Sequence, residues 1–374
     1  MLIGIDGRLW SQTGVGRYIR NLVTNLLRID KKNNYVIFVG SSDFDNVKEK
    51  IKNNKWQIII SDIKWHSISE QTNFAKTLNN YNFDLVHFPY FSVPIFYRKK
   101  YVITLHDLIV NKFKTGKAST LPYPLYLLKR QSYLFVLKNA LKTSLKVIVP
   151  SNTVRNDLLS SYKNIDAEKI VVTYEGGFEK ISKASNKELI KGKYFLRIGN
   201  FYPHKNVENL LIGFKDFVSK PKNKEIKLVL VGKKDFFFKN IEEVINKLDL
   251  LDNIIFIKNP NDEDLLSLYK HAVATVIPSF MEGFSLTAVE AMSAGCLVLV
   301  SDIEVHREIC KDAAVFFDPN NTKEIPEKLK FILEDSQKTE KLIQKGYQRV
   351  KYFSWENMAK ETLDIYDSSI SSES

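Results

Sequence analysis

The sequence predicts an α/β fold built from two doubly wound, parallel-sheet domains. Three observations carry that reading. Short, continuously apolar runs rich in Val and Ile recur along the chain, as strands buried on both faces do. Amphipathic stretches such as Tyr18–Ile29 separate several of them, and strand–helix alternation marks βαβ units. The series stops at a polar patch, Glu179–Lys193, and then starts again. A length of 374 residues, at roughly 150 per domain, also gives about two domains.

Taken in order, the first series predicts strands at Leu2–Ile5, Tyr35–Val39, Gln57–Ile60, Leu85–Phe88, Tyr101–Leu105, Val147–Val149 and Ile170–Thr173. The second predicts Tyr194–Ile198, Leu228–Val231, Ile254–Ile257, Thr275–Ile277, Leu297–Val300 and Val315–Phe317. Met358, Leu363, Ile365 and Tyr366 give Trp355–Ile370 the look of a closing helix. Spacing alone leaves open which domain it packs on. The expected division is residues 1–185, residues 186–355, and a helix and tail at 356–374 that returns to the first domain. The Ser-rich end, Ser368–Ser374, is expected to fray. Two such domains predict a ligand cleft at the carboxyl ends of the strands.

Composition excludes several classes. Hydrophobic residues make up 44 %, too many for a disordered chain. Cys296 and Cys310 are the only cysteines, which excludes a disulfide scaffold and a cysteine zinc site and points to a reducing compartment. No apolar run nears the ~18 residues of a membrane span. The start, Met1 to Asp6, lacks the basic region of a secretory leader. A cytoplasmic protein, soluble or seated at a membrane surface, is expected. The 55 basic and 43 acidic residues leave +12, which admits nucleic acid, anionic lipid or phosphorylated ligands.

The most informative stretch runs from Pro278 to Met292, after the predicted strand ending at Ile277. Gly283 permits close backbone approach or a positive φ. Ser285 is the expected N-cap of a helix over Leu286–Ala294, ended by Gly295. Such a strand–turn–helix aims free N–H groups and a helix dipole at a ligand, which suits phosphate oxygens. Glu282 and Glu290 flank the turn. A carboxylate beside a phosphate needs other donors, and sugar hydroxyls supply them. The pair is also what two solvated or capping glutamates would look like; the surrounding turn favours a nucleotide sugar.

This segment resembles the Glu-x7-Glu signature of the retaining glycosyltransferases of family 4, which have the GT-B fold of two Rossmann-like domains facing each other across a cleft. The resemblance covers nearly the whole chain. Gly199-Asn200-Phe201-Tyr202-Pro203-His204-Lys205-Asn206 is similar to the family's loop with a donor-phosphate lysine. Ser301-Asp302-Ile303, Arg307-Glu308 and Asp318-Pro319 follow in the family's order. Thr13-Gly14-Val15-Gly16-Arg17-Tyr18 is similar to its glycine loop, and Thr104-Leu105-His106-Asp107-Leu108 to its His-Asp element.

The resemblance implies an acceptor-side first domain and a nucleotide-sugar-binding second domain. It implies Glu282 on the hydroxyls of the transferred sugar and Glu290 on the ribose. The backbone N–H groups of Phe284, Ser285, Leu286 and Thr287 would hold sugar and phosphate, and Lys205 would neutralise the leaving diphosphate. Gly14 and Gly16 would let a loop close over the phosphates, and His106 would approach the donor sugar. Many relatives carry an arginine near Asn200 that is missing here; His204 or Lys233 is the expected substitute. Ser285 and Thr287 stand where relatives often have Gly and Pro.

Each residue also has a plain structural reading. Gly14-Val15-Gly16 would serve any tight turn, and it lacks the third glycine and later acid of a dinucleotide site, which disfavours a dehydrogenase. His106 at a strand's end would suit a satisfied sheet histidine, and Asp107 would orient it or cap a helix. Lys205 would suit a solvated cation at a helix start. His87 and His306 are read as structural. No His/Cys/Asp cluster has ligand spacing, so no metal and no cofactor beyond the sugar-nucleotide substrate is expected.

Between Asp107 and Asp157 no acidic residue occurs, while Lys112, Lys114, Lys117, Lys129, Arg130, Lys138, Lys142, Lys146 and Arg155 do, interleaved with Tyr123, Tyr126, Leu127, Leu128, Tyr133, Leu134 and Phe135. The stretch at 112–155 is therefore an expected seat on an anionic membrane surface, or else a helix with solvated lysines. No nucleic-acid-binding motif appears. The expected activity is metal-independent hexosyl transfer from a nucleoside diphosphate sugar, GDP-mannose first, to a glycan or polyprenyl-diphosphate-linked saccharide. A nucleotide-sugar epimerase or a silent glycan- or lipid-binding protein on the same fold are the alternatives.

Overall fold

The computed structural model describes residues 1–112, 122–178 and 188–371. Lys114, Lys117, the expected boundary at 185/186 and the last three serine-rich residues lie outside them. The apolar runs become strands at every expected position. The first seven are β1 (Leu2–Asp6), β2 (Asn34–Val39), β3 (Trp56–Ile60), β4 (Leu85–Phe88), β5 (Tyr101–Thr104), β6 (Val147–Val149) and β7 (Ile170–Val172). They pair all-parallel in the order β3-β2-β1-β4-β5-β6-β7. The other six are β8 (Tyr194–Ile198), β9 (Lys227–Gly232), β10 (Ile254–Lys258), β11 (Ala274–Ile277), β12 (Val298–Ser301) and β13 (Val315–Phe317). Their order is β10-β9-β8-β11-β12-β13, again all parallel.

In both sheets the winding reverses once, between β1 and β4 and between β8 and β11. At such a switch point the loops beyond the strand ends diverge, leaving a crevice where ligands of open α/β sheets bind.

The chain forms two compact units. Among the described residues the first holds 1–112, 122–175 and 354–371, and the second 176–178 and 188–353. The first core gathers Phe38, Phe74, Val86, Phe88, Ile103, Leu137 and Val149. The second gathers Phe195, Leu211, Phe214, Phe217, Leu228, Leu230 and Leu299. Each such side chain, once covered, contributes about 1.5–3 kcal/mol.

The closing helix, Trp355–Ser371, belongs to the first unit and packs on the helix Gly14–Ile29. Trp355, Met358, Ala359, Thr362, Ile365 and Tyr366 are its buried side, and Tyr18, Ile19, Leu22, Val23 and Leu26 lie in the buried stripe of the first helix. Three polar side chains of this layer form a chain: the Tyr366 hydroxyl lies 2.6 Å from His87 Nδ1, and His87 Nε2 lies 2.8 Å from Thr104 Oγ1. Burial drives the His87 pKa down to about 3, aided by His106, so it is a neutral core histidine.

Candidate active site

Lys205 and Glu282 meet at the switch point of the second sheet. Lys205 lies on the loop after β8 and Glu282 on the loop after β11, with Lys205 Nζ 2.9 Å from Glu282 Oε2. Their side chains are 19 % and 13 % exposed. Glu282 Oε1 accepts a 2.6 Å hydrogen bond from Ser279 Oγ. Burial pushes the Glu282 pKa up, but Lys205, His306 and the Ser279 hydroxyl outweigh it, and the carboxyl is held at about 2.

Asn206 fixes the two loops. It takes a left-handed backbone, φ 55°, which Asn tolerates better than most residues. Its Nδ2 donates to Pro278 O at 3.0 Å and Pro319 O at 2.9 Å, joining the loops after β8, β11 and β13. Phe280 N donates to His204 O at 2.8 Å, a second tie between the first two.

Two expectations are corrected here. Ser285 stands at the N-cap position of the helix Leu286–Ser293, but it is left-handed, φ 76°, and its side chain makes no capping bond. The capping serine of a helix needs an extended backbone, which this turn denies it. The positive φ that Gly283 offered falls on Ser285 instead, whose Oγ is buried without a hydrogen-bond partner. Second, His204 does not supply the extra cation. His204 is buried, and burial with Lys205 beside it drives its pKa down to about 3, so it is neutral; Lys233 is exposed to solvent.

Arg197, on β8 itself and 2 % exposed, is a further cation of this neighbourhood. Its Nη1 donates to Gly199 O at 2.6 Å and its Nη2 to Asn200 O, and the guanidinium lies 4.7 Å from the Phe201 ring centre. Burial lowers its pKa to about 9 while Glu282 draws it upward, so it stays charged at neutral pH. His306 also belongs to this neighbourhood. Ser301 O can only accept, so His306 Nδ1 carries the proton and donates at 2.7 Å. Burial lowers its pKa, which leaves Nε2 an acceptor; it is buried and unpartnered, as is Asn200 Oδ1. The hydrogen bond of His306 to Ser301 is structural, and His306 is also coupled electrostatically to Glu282 and Lys205.

Glu290 is buried on the Leu286–Ser293 helix, its Oε2 accepting from the Tyr269 hydroxyl at 2.9 Å. Phe284 is buried edge-to-face on Phe353 at 5.6 Å, whereas Gly283, Leu286 and Thr287 are half-buried. By the geometry of any α-helix, the first N–H groups of Leu286–Ser293 have no partner within it.

The remaining candidates lie in the first unit. Gly14 opens the first helix with free space where a Cβ would stand. Gly16 lies within the first turn; a Cβ there would meet Trp10 O at 2.5 Å, so this glycine serves close packing. His106 Nε2 lies 3.0 Å from Pro89 O, and as a carbonyl only accepts, Nε2 donates; Nδ1 is 3.4 Å from Glu175 Oε1. Among the described residues no group of three or more His, Cys, Asp or Glu is placed to hold a metal.

Two parallel sheets with these switch points, compared with proteins of known structure and sequence, define a glycosyltransferase of the GT-B fold. The chain belongs to glycosyltransferase family 4: residues 12–176 match the family described as Glycosyltransferase Family 4, and residues 178–349 match Glycosyl transferases group 1. The O-antigen chain mannosyltransferase RfbU of Salmonella typhimurium is 31 % identical over 54 % of each chain, so that match spans about half of the relative's length. The O-antigen chain mannosyltransferase B of Escherichia coli is 25 % identical over 95 % of this chain and 96 % of its own. Sucrose-phosphate synthase from Thermosynechococcus elongatus shares the fold with a TM-score of 0.80, 19 % identity and full coverage of both chains. WaaG, a glycosyltransferase involved in lipopolysaccharide biosynthesis, shares it with a TM-score of 0.75 and 15 % identity over 98 % of this chain and 99 % of WaaG.

Proposed function

We propose that this glycosyltransferase moves a hexosyl residue, mannose from GDP-mannose in first preference, to a hydroxyl of a saccharide acceptor in cell-surface polysaccharide assembly, with retention of anomeric configuration. The observation that carries the proposal is the Lys205–Glu282 pair at the β8/β11 switch point, beside buried Arg197 and the start of the Leu286–Ser293 helix. The two O-antigen mannosyltransferases support the choice of sugar and pathway.

In this reading Lys205 and the N–H groups at Phe284 to Thr287 hold the diphosphate, with Asn200 and neutral His204 on the loop beside it. Glu282, ionised at neutral pH, accepts hydroxyls of the transferred sugar; Glu290 serves the ribose. The bond between the anomeric carbon and the phosphate oxygen breaks as the acceptor oxygen bonds to that carbon, and the acceptor's proton passes to the released phosphate oxygen. Fixed cations and dipoles that stabilise the developing charge supply catalysis of this kind. His106 is assigned to the reacting sugar, and Gly14 and Gly16 to the donor phosphates.

The test measures nucleoside diphosphate release from GDP-mannose, UDP-glucose, dTDP-glucose and ADP-glucose, with and without a cell-envelope lipid extract. Acceptor-dependent release supports transfer. An isomerised donor without release would make the protein an epimerase, and binding without either a silent binder. Full activity in both Glu282→Ala and Glu290→Ala would overturn the site.

The same proposal places the enzyme on an anionic membrane face in the cytoplasm. The helix Tyr123–Thr143 buries only Leu137, Ala140 and Leu141, and exposes Tyr123, Leu125, Leu128 and Phe135 beside Lys129, Lys138 and Lys142. Lys112, at the start of the expected patch, is paired with Asp157. No helix among the described residues is long and apolar enough to cross a membrane.

A further inference from the structure

The first sheet has its own switch point, between β1 and β4, and the residues there form a base beneath an exposed aromatic surface. Arg8, on the loop after β1, is 3 % exposed in its side chain. Its Nε and Nη2 grip Asp6 at 2.8 and 2.7 Å, its Nη2 also reaches Glu70 Oε1 at 2.7 Å, and its Nη1 donates to Ile63 O at 2.9 Å. Fully buried Glu70 accepts from Ser92 Oγ at 2.6 Å and from His66 N at 2.8 Å through its other oxygen. One buried network thus ties the loop after β3, which carries Ile63, Trp65 and His66, to the loop after β4, which carries Tyr90 and Ser92.

Two backbone irregularities lie in the same place. His66 is left-handed, φ 60°, and Glu70–Phe74 forms a π-turn. Strained backbone and π-turns persist where the surroundings over-determine them, and they cluster at functional sites. What the network holds up is Trp65, 40 % exposed, edge-on to His66 at 4.6 Å and to Tyr90 at 6.2 Å. Pro89, beside Tyr90, accepts the hydrogen bond from His106.

The charge of this base selects its ligand. Arg8 is shared between two carboxylates, so the buried triad sums to −1. With no cationic surplus, the place is poorly suited to a diphosphate, in contrast to the Lys205 and Arg197 site. A rigid exposed indole offers an apolar face with a polar rim. The C–H face of a neutral pyranose complements it, with hydroxyls free to reach the polar edge.

We infer that Trp65, with His66 and Tyr90 behind it, is a stacking platform for a neutral sugar ring of the saccharide acceptor. This rests on the reading of the chain as a transferase with a saccharide acceptor, and its test separates the two. The protein has 4 tryptophans, and Trp10, Trp56 and Trp355 are 2 %, 7 % and 1 % exposed, so acrylamide quenching of the full chain reports Trp65. Millimolar methyl α-mannoside or α-mannobiose should protect that fluorescence, and Trp65→Phe should remove the quenchable component while leaving GDP-induced thermal stabilisation unchanged. In transfer assays Trp65→Ala should raise the acceptor KM about tenfold, the loss of roughly one stacking contact, with donor KM unaltered. Quenching unchanged by either saccharide, or an acceptor KM unmoved in Trp65→Ala, overturns the platform and leaves the transferase reading standing. Absence of acceptor-dependent release in the wild type overturns the transferase reading, while the quenching result still decides whether Trp65 takes a sugar.

Discussion

Replacing Lys205 by Met removes the cation from Glu282 and leaves a mostly buried carboxylate unpaired. A carboxyl held at about 2 instead of 4.5 is worth about 3 kcal/mol of folding stability, of which Lys205 supplies the largest share beside His306 and the Ser279 hydroxyl. Breaking a buried pair from one side costs about 3–5 kcal/mol, in line with that figure. For a unit of this size, about 3 kcal/mol corresponds to a fall of roughly 6–12 °C in Tm. The folded carboxylate binds its proton less readily than the unfolded one. The contribution is therefore complete above about pH 4.5 and is lost as pH falls towards 2. Calorimetry of the full chain from pH 3 to 7, on wild type, Lys205→Met, Glu282→Gln and the double variant, measures it. Lys205→Met should lose the most at neutral pH, and the double variant should recover much of the loss because no lone charge remains. A Lys205→Met protein within about 1 °C of wild type at pH 7, with the same acid profile, would show that the pair does not form in solution.

Arg197→Leu leaves the carbonyls of Gly199 and Asn200 without their donor and should cost about 2–4 kcal/mol in denaturant unfolding; Arg197→Lys should cost less, and equal stability in Arg197→Leu would refute the role. Asn206→Ala should be less stable than Asn206→Gly by about 1 kcal/mol, since both lose the bonds to Pro278 and Pro319 but only alanine strains at φ 55°. Leu128→Glu with Phe135→Glu should abolish cosedimentation with phosphatidylglycerol vesicles without lowering Tm, because both side chains are exposed; undiminished binding would place the membrane seat elsewhere.

Both sheets were legible in the sequence because parallel strands are buried on both faces, so each writes itself as an unbroken Val- and Ile-rich run. The Glu282 turn was legible because strand, glycine and helix follow one another in eight or so residues. Arg197 was not: it sits inside a strand that reads as apolar, and only the tertiary fold turns its guanidinium back onto the carbonyls of the loop that follows. The coupling of His306 to Glu282 is hidden in the same way, since it crosses from one strand end to another. Ser285 looked like a cap because composition reports residue type and not φ. The Asp6–Arg8–Glu70 network joins residues 62 positions apart and leaves no local signature at all.

The helix Trp355–Ser371 lies on the first helix, so the first unit is interrupted by the entire second one. During synthesis the second unit has its whole sequence once residue 353 has emerged, whereas the first must wait with Tyr18 and Leu22 uncovered until the final helix arrives. At about 5–20 residues per second that delay lasts on the order of ten seconds or more. Shortening the chain before Tyr366 would make the exposure permanent and invite chaperone capture or aggregation, even though every strand of both sheets would still be present.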